Sequence, residues 1–271
     1  HYVAPAVISH LEADPERLRL GGEWREVTYI FTDIAGFTSL SEGMDPEQLV
    51  PMLNSYLDGM CQILIEHEST LDKFIGDAVV AVLGAPDDQP DHAERAVRCV
   101  LDLDAFAQRF SAEKIAEGID FGITRIGVHT GAAVVGNIGG EKRFDYTAIG
   151  DTVNPAARLE GANKFLGTRV CVSGSTAERC ADVAMRPIGD LVLKGKTEAV
   201  AVFEPLGPDR AAAGAISAYR EAFEKLALND PYTKEAFENL VEAYPEDGVA
   251  AFHLARLRAG ERGTRIELAE K

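Results

Sequence analysis

The chain has 271 residues, of which 46% are hydrophobic and 26% are charged, a composition typical of a globular protein. Its net charge of −17 argues against nucleic acid as a partner, because binding to that backbone depends on Lys and Arg neutralising phosphates. No stretch approaches the roughly 20 apolar residues of a membrane-spanning helix, so we expect no membrane contact from this segment.

The first elements follow from composition and periodicity. Residues 1–24 carry apolar residues at loosely helical intervals between prolines, which predicts a linker or short connecting helix. The β-rich run 26–32 enters Asp33, and apolar residues at helical spacing then predict a long helix over 46–68. We therefore expect a strand that ends at an aspartate, followed by a helix.

A β-hairpin and a second helix come next. The runs 71–75 and 79–83 flank a Gly-Asp pair, which predicts a hairpin whose turn presents Asp77. A second long helix is expected over 91–110. Asp77 thus becomes a second aspartate placed where a strand ends.

The middle of the chain alternates strands with one helix. Strands are predicted over 123–129, 133–138 and 143–148, with turns at Gly131 and at Gly139-Gly140. A helix that opens near Asp151 is followed by short strands over 169–172, 184–188 and 199–203. The result is an α/β fold of the α+β type, with helices against a mostly antiparallel sheet.

The composition changes after Pro205. Three apolar patterns at helical spacing predict two or three short antiparallel helices over 206–271, similar to one tetratricopeptide-like unit. A single unit of this kind buries its own apolar face poorly. We therefore expect this C-terminal extension to pack on the preceding domain or on a second subunit.

Asp33 and Asp77 are candidate metal ligands. A single Asp at such a position is more often a turn or cap residue, but here two of them leave β-rich runs, and Ala35 and Gly36 leave room beside the first. Mg²⁺ prefers oxygen ligands and keeps part of its coordination shell for water and phosphate. Two carboxylates are therefore a sufficient protein contribution for a divalent metal bound to a polyphosphate.

Asn154 and Arg158 are a second candidate pair. They lie four residues apart, so on a helix they would point from one face. An amide beside a guanidinium suits a ribose and a phosphoryl centre. Alone, Asn154 would be interpreted as a helix cap and Arg158 as a solvated arginine.

The three stretches 31–38, 72–78 and 146–158, in this order, resemble the catalytic domain of the class III nucleotidyl cyclases, the adenylyl and guanylyl cyclase family. The resemblance covers residues 25–205 and implies a ferredoxin-like βαββαβ core. It also implies that Asp33, Asp77 and the backbone carbonyl of Ile34 hold two Mg²⁺ or Mn²⁺ ions in each site. The same resemblance implies that Asn154 orients the ribose and that Arg158 stabilises charge on the α-phosphate.

The resemblance further assigns the substrate contacts. Lys73 falls on a base-selecting position, where lysine donates to adenine and guanylyl cyclases have glutamate, and Thr147 falls on the second, where many adenylyl cyclases have aspartate. The Lys and Thr pair resembles that of the bicarbonate-responsive bacterial adenylyl cyclases. The remaining triphosphate contacts would come from Lys194, Lys196 and Arg143.

The activity implied is that of an adenylyl cyclase, which converts ATP into 3′,5′-cyclic AMP and pyrophosphate. In this family the site lies between two catalytic domains, and one chain that carries both halves implies a symmetric homodimer with two sites. A guanylyl cyclase is the nearest alternative, opposed by Lys73. A regulatory nucleotide-binding module is another, opposed by the presence of every metal and transition-state residue.

The remaining chemistry-bearing residues are interpreted as structural. No zinc-binding spacing is found among the four cysteines, which are Cys61, Cys99, Cys171 and Cys180. We therefore expect free thiols in a reducing cytosol and a cytoplasmic catalytic portion. The full-length protein could still have a membrane anchor upstream of this segment. His129 lies alone in an apolar strand and is not expected to act as a base. The glycines near it do not form a dinucleotide-binding loop.

Overall fold

The computed structural model describes residues 20–140, 143–150, 152–193, 198–212 and 214–268. The strands in these residues are β1 (Gly21–Ile34), β2 (Thr70–Ile75), β3 (Ala78–Leu83), β4 (Thr124–Gly140), β5 (Arg143–Ile149), β6 (Val170–Ser173), β7 (Met185–Val192), β8 (Ala199–Pro205) and β9 (Arg265–Glu267). The helices are α1 (Phe37–Gly43), α2 (Pro46–Glu66), α3 (His92–Ala116), α4 (Val153–Leu166), α5 (Gly174–Ala177), α6 (Pro208–Ala211), α7 (Gly214–Ala227), α8 (Thr233–Ala243) and α9 (Gly248–Arg258).

The strands form one sheet in the order β2-β3-β1-β4-β6-β8-β7-β9, and β5 pairs with β4. Only the β4–β6 and β7–β9 pairs in the described residues are parallel, so the predicted α+β fold with a mostly antiparallel sheet is confirmed. The predicted hairpin is also confirmed, with Asp77 in the turn between β2 and β3.

Alternation along β1 separates the two faces of the sheet. Ile30 and Ile34 belong to a buried cluster with residues of α2 and α3, whereas Val27 and Tyr29 belong to another, with residues of β5 and α4. Successive side chains of a strand point to opposite faces, so this division is set by the sequence. The result is that α2 and α3 cover one face, while α4 and β5 lie on the other.

The helix α4 packs directly on β4 because residue 127 is glycine. A Cβ at Gly127 would overlap the backbone carbonyl of Ala156 and the backbone nitrogen of Glu160. Any side chain here would therefore push the helix away from the sheet. The close approach positions the face of α4 that carries the candidate site residues.

The predicted turn at Gly131 is wrong. Gly131 pairs with Val27 inside β4, which runs without interruption from Thr124 to Gly140. The glycine serves close packing instead, because a Cβ there would lie 2.9 Å from Oγ1 of Thr152. A strand glycine can signal close approach as well as a turn, and the sequence pattern alone did not separate the two.

The N-terminal boundary also differs from the prediction. β1 begins at Gly21, and its first residues pair with β4 from Asn137 to Val134. Residues 21–24 therefore belong to the sheet rather than to the predicted linker. Residues 1–19 lie outside the described part of the chain.

The C-terminal helices pack on the sheet through a shared core. One buried cluster joins residues of α4, β6, β7 and β8 to residues of α7, α8, α9 and β9. The short strand β9, which the sequence did not predict, pairs with β7 through Asp190 and Arg265. Of the two expected packings, the one on the preceding domain of the same chain is therefore seen, while the division at residues 205 and 206 stays a prediction.

A buried cluster of charged residues joins this C-terminal extension to the sheet. Arg186 is 1% exposed, and it donates from Nε to Oε2 of Glu204 and from Nη1 to Oδ2 of Asp247, each at 2.6 Å. Its guanidinium also lies 4.6 Å from the ring centre of Tyr219 on α7. Because a buried charge is costly unless it is paired, Arg186 requires both carboxylates.

Replacing Asp247 by Ala should therefore lower the free energy of unfolding by about 3–5 kcal/mol, since the buried Arg186 loses one of its partners. Chemical denaturation measures the change. Glu267→Ala is the control, because the side chains of Glu267 and its partner Arg265 are 68% and 56% exposed, and such pairs contribute less than about 1 kcal/mol. Equal effects of the two substitutions would contradict the importance of the buried cluster.

The four cysteines are free, two of them buried and two half-buried. None of the described helices is both long enough and apolar enough to cross a bilayer.

Candidate active site

The structure brings Asp33 and Asp77 together at one edge of the sheet. Asp33 precedes the last residue of β1, and Asp77 lies in the turn that joins β2 to β3. Oδ2 of Asp77 accepts a hydrogen bond from the backbone nitrogen of Ile34 at 2.9 Å, which ties the turn to the end of β1. Both aspartates are half-buried.

The electrostatics of this pair favour a cation. Burial and the nearby charge of Asp77 raise the pKa of Asp33, and Arg125 opposes the shift. The described residues hold no group of three or more His, Cys, Asp or Glu that could complete a metal site alone. Two carboxylates with space left for other oxygen ligands are the donor set of a divalent metal that also binds phosphate. The carbonyl of Ile34 stays a predicted ligand.

Two further charged residues lie at this cluster, and the sequence did not single them out. Arg125 sits opposite Asp33 in the β1–β4 register, and its Nε is buried with no hydrogen-bond partner among the described residues. Glu160 of α4 is 8% exposed, and its Oε1 likewise has none. In the sequence, Arg125 could have been noticed as a basic residue at the start of an apolar strand. Only the register of β1 against β4 shows that it lies opposite Asp33.

Glu160 should make the metal-free protein sensitive to pH. Burial, followed by the charge of Asp33, raises the pKa of Glu160 from 4.5 to about 7. Between about pH 4.5 and about pH 7, Glu160 therefore keeps a proton in the folded state that it releases in the unfolded state. The stability that protonated Glu160 contributes is complete below about pH 4.5 and is lost as the pH rises through about 7.

In the presence of a chelator, the free energy of unfolding of the unmodified protein should fall between about pH 5 and about pH 8 by about 1–3 kcal/mol more than that of Glu160→Gln. Denaturation at both pH values measures the difference. If both proteins lose the same stability, Glu160 does not titrate in this range.

The two residues predicted to select the base are in contact. Nζ of Lys73 on β2 lies 3.3 Å from Oγ1 of Thr147 on β5. A third residue joins them, because Oγ1 of Thr147 donates to Oδ2 of Asp72 at 2.9 Å and Nζ of Lys73 lies 3.5 Å from Oδ1 of Asp72. Strand β5 comes back over the face of β1, so residues distant in sequence meet here.

Asn154 and Arg158 lie near the start of α4, where Asn154 is exposed and Arg158 is half-buried. Four residues of an α-helix correspond to about 400°, so the two side chains lie on one face, as predicted. Glu160, which is turned towards Asp33 of the same chain, comes two residues after Arg158, about 200° around the helix. The side chain of Arg158 therefore leaves α4 on the side opposite to Glu160.

The remaining predicted contacts are only partly described. Lys194 and Lys196 lie outside the described residues, and of Arg143 the structure describes the backbone, which begins β5. Nδ1 of His129 lies 2.9 Å from Oγ of Ser173, a contact in keeping with a structural role.

Comparisons with known proteins show what the chain as a whole is similar to. The family model of the adenylate and guanylate cyclase catalytic domain matches residues 22–203. "Adenylate cyclase 1" of Rhizobium meliloti is 45% identical over 190 residues, covering 69% of this chain and 29% of that protein. The "Adenylate cyclase" of Anabaena cylindrica is 32% identical over 210 residues, covering 74% of this chain and 40% of that protein. The chain thus spans less than half of these two relatives.

Two solved cyclase structures have a similar fold. The crystal structure of the adenylyl cyclase CyaB from P. aeruginosa matches with a TM-score of 0.65 and 32% identity, covering 72% of this chain and all of that one. The crystal structure of the guanylyl cyclase Cya2 matches with a TM-score of 0.62 and 34% identity, covering 69% and 95%. The solved structures that match thus include both an adenylyl cyclase and a guanylyl cyclase.

Proposed function

The chain belongs to the adenylate and guanylate cyclase catalytic-domain family, and from this premise we propose that it converts ATP into 3′,5′-cyclic AMP and pyrophosphate. The observation that supports ATP most directly is the contact between Lys73 and Thr147, the two predicted base-selecting residues. A lysine at this position is a hydrogen-bond donor, whereas guanylyl cyclases carry glutamate there.

The reaction is intramolecular. The ribose 3′-hydroxyl releases its proton to water and its oxygen attacks the α-phosphorus of the same nucleotide, the bond from that phosphorus to the bridging oxygen breaks, and pyrophosphate leaves with the bonding electrons. Nucleophile and electrophile are already in one molecule, so the protein must hold the triphosphate folded and compensate its charge. Positioned charges are therefore the main requirement on the site.

Catalytic domains of this family generally depend on divalent metal, and we assign two Mg²⁺ or Mn²⁺ ions to Asp33, Asp77 and the carbonyl of Ile34. When bound, these ions would lower the pKa of the 3′-hydroxyl and neutralise the leaving pyrophosphate. The two carboxylates would hold the ions at the end of β1, where the hydrogen bond from Ile34 to Asp77 ties the turn to the strand. Arg125, beside Asp33, adds a positive charge for the phosphates.

The chain's other polar residues orient the nucleotide. Asn154 would hold the ribose, and Arg158 would stabilise charge on the α-phosphate as the bond breaks. Lys194, Lys196 and Arg143 would contact the triphosphate. Asn154 is exposed and Arg158 is half-buried on one face of α4, which supports a role towards a ligand outside the chain's own core.

We assign the active form to a homodimer with two shared sites. Members of this family function as dimers, and a symmetric pair places residues of both chains at each interface. The positions of Glu160 and Arg158 on α4 support this arrangement, because Arg158 leaves the helix on the side opposite to Glu160, whose pKa is raised in part by Asp33 of the same chain. One site would then combine Asp33 and Asp77 of one protomer with Arg158 of its partner.

Purified protein assayed with ATP and with GTP, each with Mg²⁺ or Mn²⁺, tests this proposal. We expect cyclic AMP as the main product and a strong preference for ATP. The alternative, a guanylyl cyclase, is suggested by the likeness to Cya2 and would be favoured by equal or better use of GTP. A nucleotide-binding module without turnover would bind ATP and release no pyrophosphate.

A further inference from the structure

Asp72 is a buried carboxylate directly behind the predicted base-selecting residues. Its side chain is 2% exposed, and its Oδ2 accepts hydrogen bonds from Thr147 at 2.9 Å and from the hydroxyl of Tyr29 at 3.2 Å. Its Oδ1 has no hydrogen-bond partner among the described residues and lies 3.5 Å from Nζ of Lys73. Burying a charge is costly unless it is paired and hydrogen-bonded, so the contacts of Asp72 with Lys73 and Thr147 are required for its burial.

The direction of each hydrogen bond in this cluster follows from the neighbours. The ammonium of Lys73 can only donate, and the ionised carboxylate of Asp72 can only accept. Thr147 therefore accepts from Lys73 and gives its single hydrogen to Asp72. Tyr29 is fixed in the same way, because its oxygen accepts from the backbone nitrogen of Ala148 at 3.2 Å, which turns its hydrogen towards Asp72.

We propose that Asp72 is a positioning residue that sets base preference: by holding the hydrogen of Thr147, it leaves the Thr147 oxygen able only to accept a hydrogen bond from the base. This inference rests on the proposed cyclase function and explains how the base site of that enzyme would select adenine over guanine. Many adenylyl cyclases carry a carboxylate at the position of Thr147. In this chain the carboxylate is that of Asp72, which lies behind Thr147 and acts through its hydroxyl group.

The consequence for the substrate follows from the substituent at C6 of the purine. Adenine has an amino group there, which donates to the free lone pair of Thr147. Guanine has a carbonyl oxygen, which would meet that lone pair with one of its own. A site that leaves a buried polar group unpaired discriminates strongly against the wrong ligand. Asp72 therefore disfavours guanine without touching it.

The substitution Asp72→Asn tests this inference. The amide oxygen is drawn to Lys73, so the amide nitrogen faces Thr147 and donates to it, which frees the hydroxyl hydrogen for the carbonyl of guanine. The ratio of kcat/KM for ATP to kcat/KM for GTP should fall by about tenfold or more. Asp72→Ala, which leaves the Thr147 hydrogen without an acceptor, should lower the ratio in the same direction.

Two further variants separate positioning from folding. Tyr29→Phe removes the other donor to Asp72 and should lower the melting temperature while leaving the ratio within about twofold, because Thr147 keeps its acceptor. Thr147→Val removes the hydroxyl through which Asp72 acts. Adding Asp72→Asn to Thr147→Val should therefore leave the ratio unchanged, as a double-mutant cycle measures.

An unchanged ratio in Asp72→Asn and Asp72→Ala would overturn the inference. So would an equal fall in the Thr147→Val background, because Asp72 would then act without Thr147. Binding of the α,β-methylene analogues of ATP and GTP, in which the bond to the leaving group cannot be cleaved, measures the same preference without turnover. A protein that binds ATP selectively through Asp72 but forms no cyclic AMP would overturn the proposed function and support this inference.

Discussion

Replacing Asp77 by Ala is expected to lower the turnover of ATP by about a thousandfold or more while the protein stays folded. Asp77 supplies one of the two carboxylates at the end of β1, and its loss leaves Asp33 as the one remaining carboxylate of the predicted pair. Its loss also removes the acceptor of the Ile34 nitrogen, so a modest fall in the melting temperature accompanies the loss of activity.

The variant Asp77→Asn separates the two effects. Its amide oxygen can still accept from Ile34 but carries no charge, so the melting temperature should be kept while turnover stays low. Asp58→Ala, at an exposed acidic residue of α2, should leave activity unchanged. A folded Asp77→Ala protein with most of its activity would show that the metal assignment is wrong.

Mixing two inactive variants, Asp33→Ala and Arg158→Ala, is expected to restore activity. If each site takes Asp33 from one protomer and Arg158 from its partner, a mixed dimer carries both lesions in one site and leaves the other intact. Random reassociation of equal amounts makes about half of the dimers mixed, each with one working site of two. Recovered turnover should therefore approach about a quarter of the unmodified value.

A matched mixture provides the control. Asp33→Ala with Asp77→Ala damages the same half of the site in both chains, so every mixed dimer has two defective sites and should stay inactive. Differently tagged chains confirm that subunits exchange. Absence of recovery in the first mixture despite exchange would mean that each site is built within a single chain.

The sequence predicted the elements that have strong periodicity and the residues that lie in compact motifs. The hairpin that presents Asp77 and the helix that carries Asn154 and Arg158 were both predicted, because each depends on a short local pattern. The contact between Lys73 and Thr147 was anticipated only through resemblance, since it joins two strands distant in sequence.

The residues that the sequence missed are those defined by tertiary contacts. Arg125 lies opposite Asp33 because of the register of β1 against β4. Asp72 contacts Thr147 because β5 packs close to β2. Neither signal is present in a window of neighbouring residues. Gly131 shows the converse error, because a local turn signal was overridden by a strand that continues through it.

The packing of α4 limits how the protein can move. Gly127 holds the first half of this helix against β4, and a Cβ at Gly167, just past its end, would lie 2.7 Å from the backbone of Gly248 at the start of α9. Backbone meets backbone at both places, so no side chain can change rotamer to let the helix slide or turn alone. In the proposed homodimer, closure around a nucleotide should therefore occur as a rigid-body rotation of one whole protomer against the other.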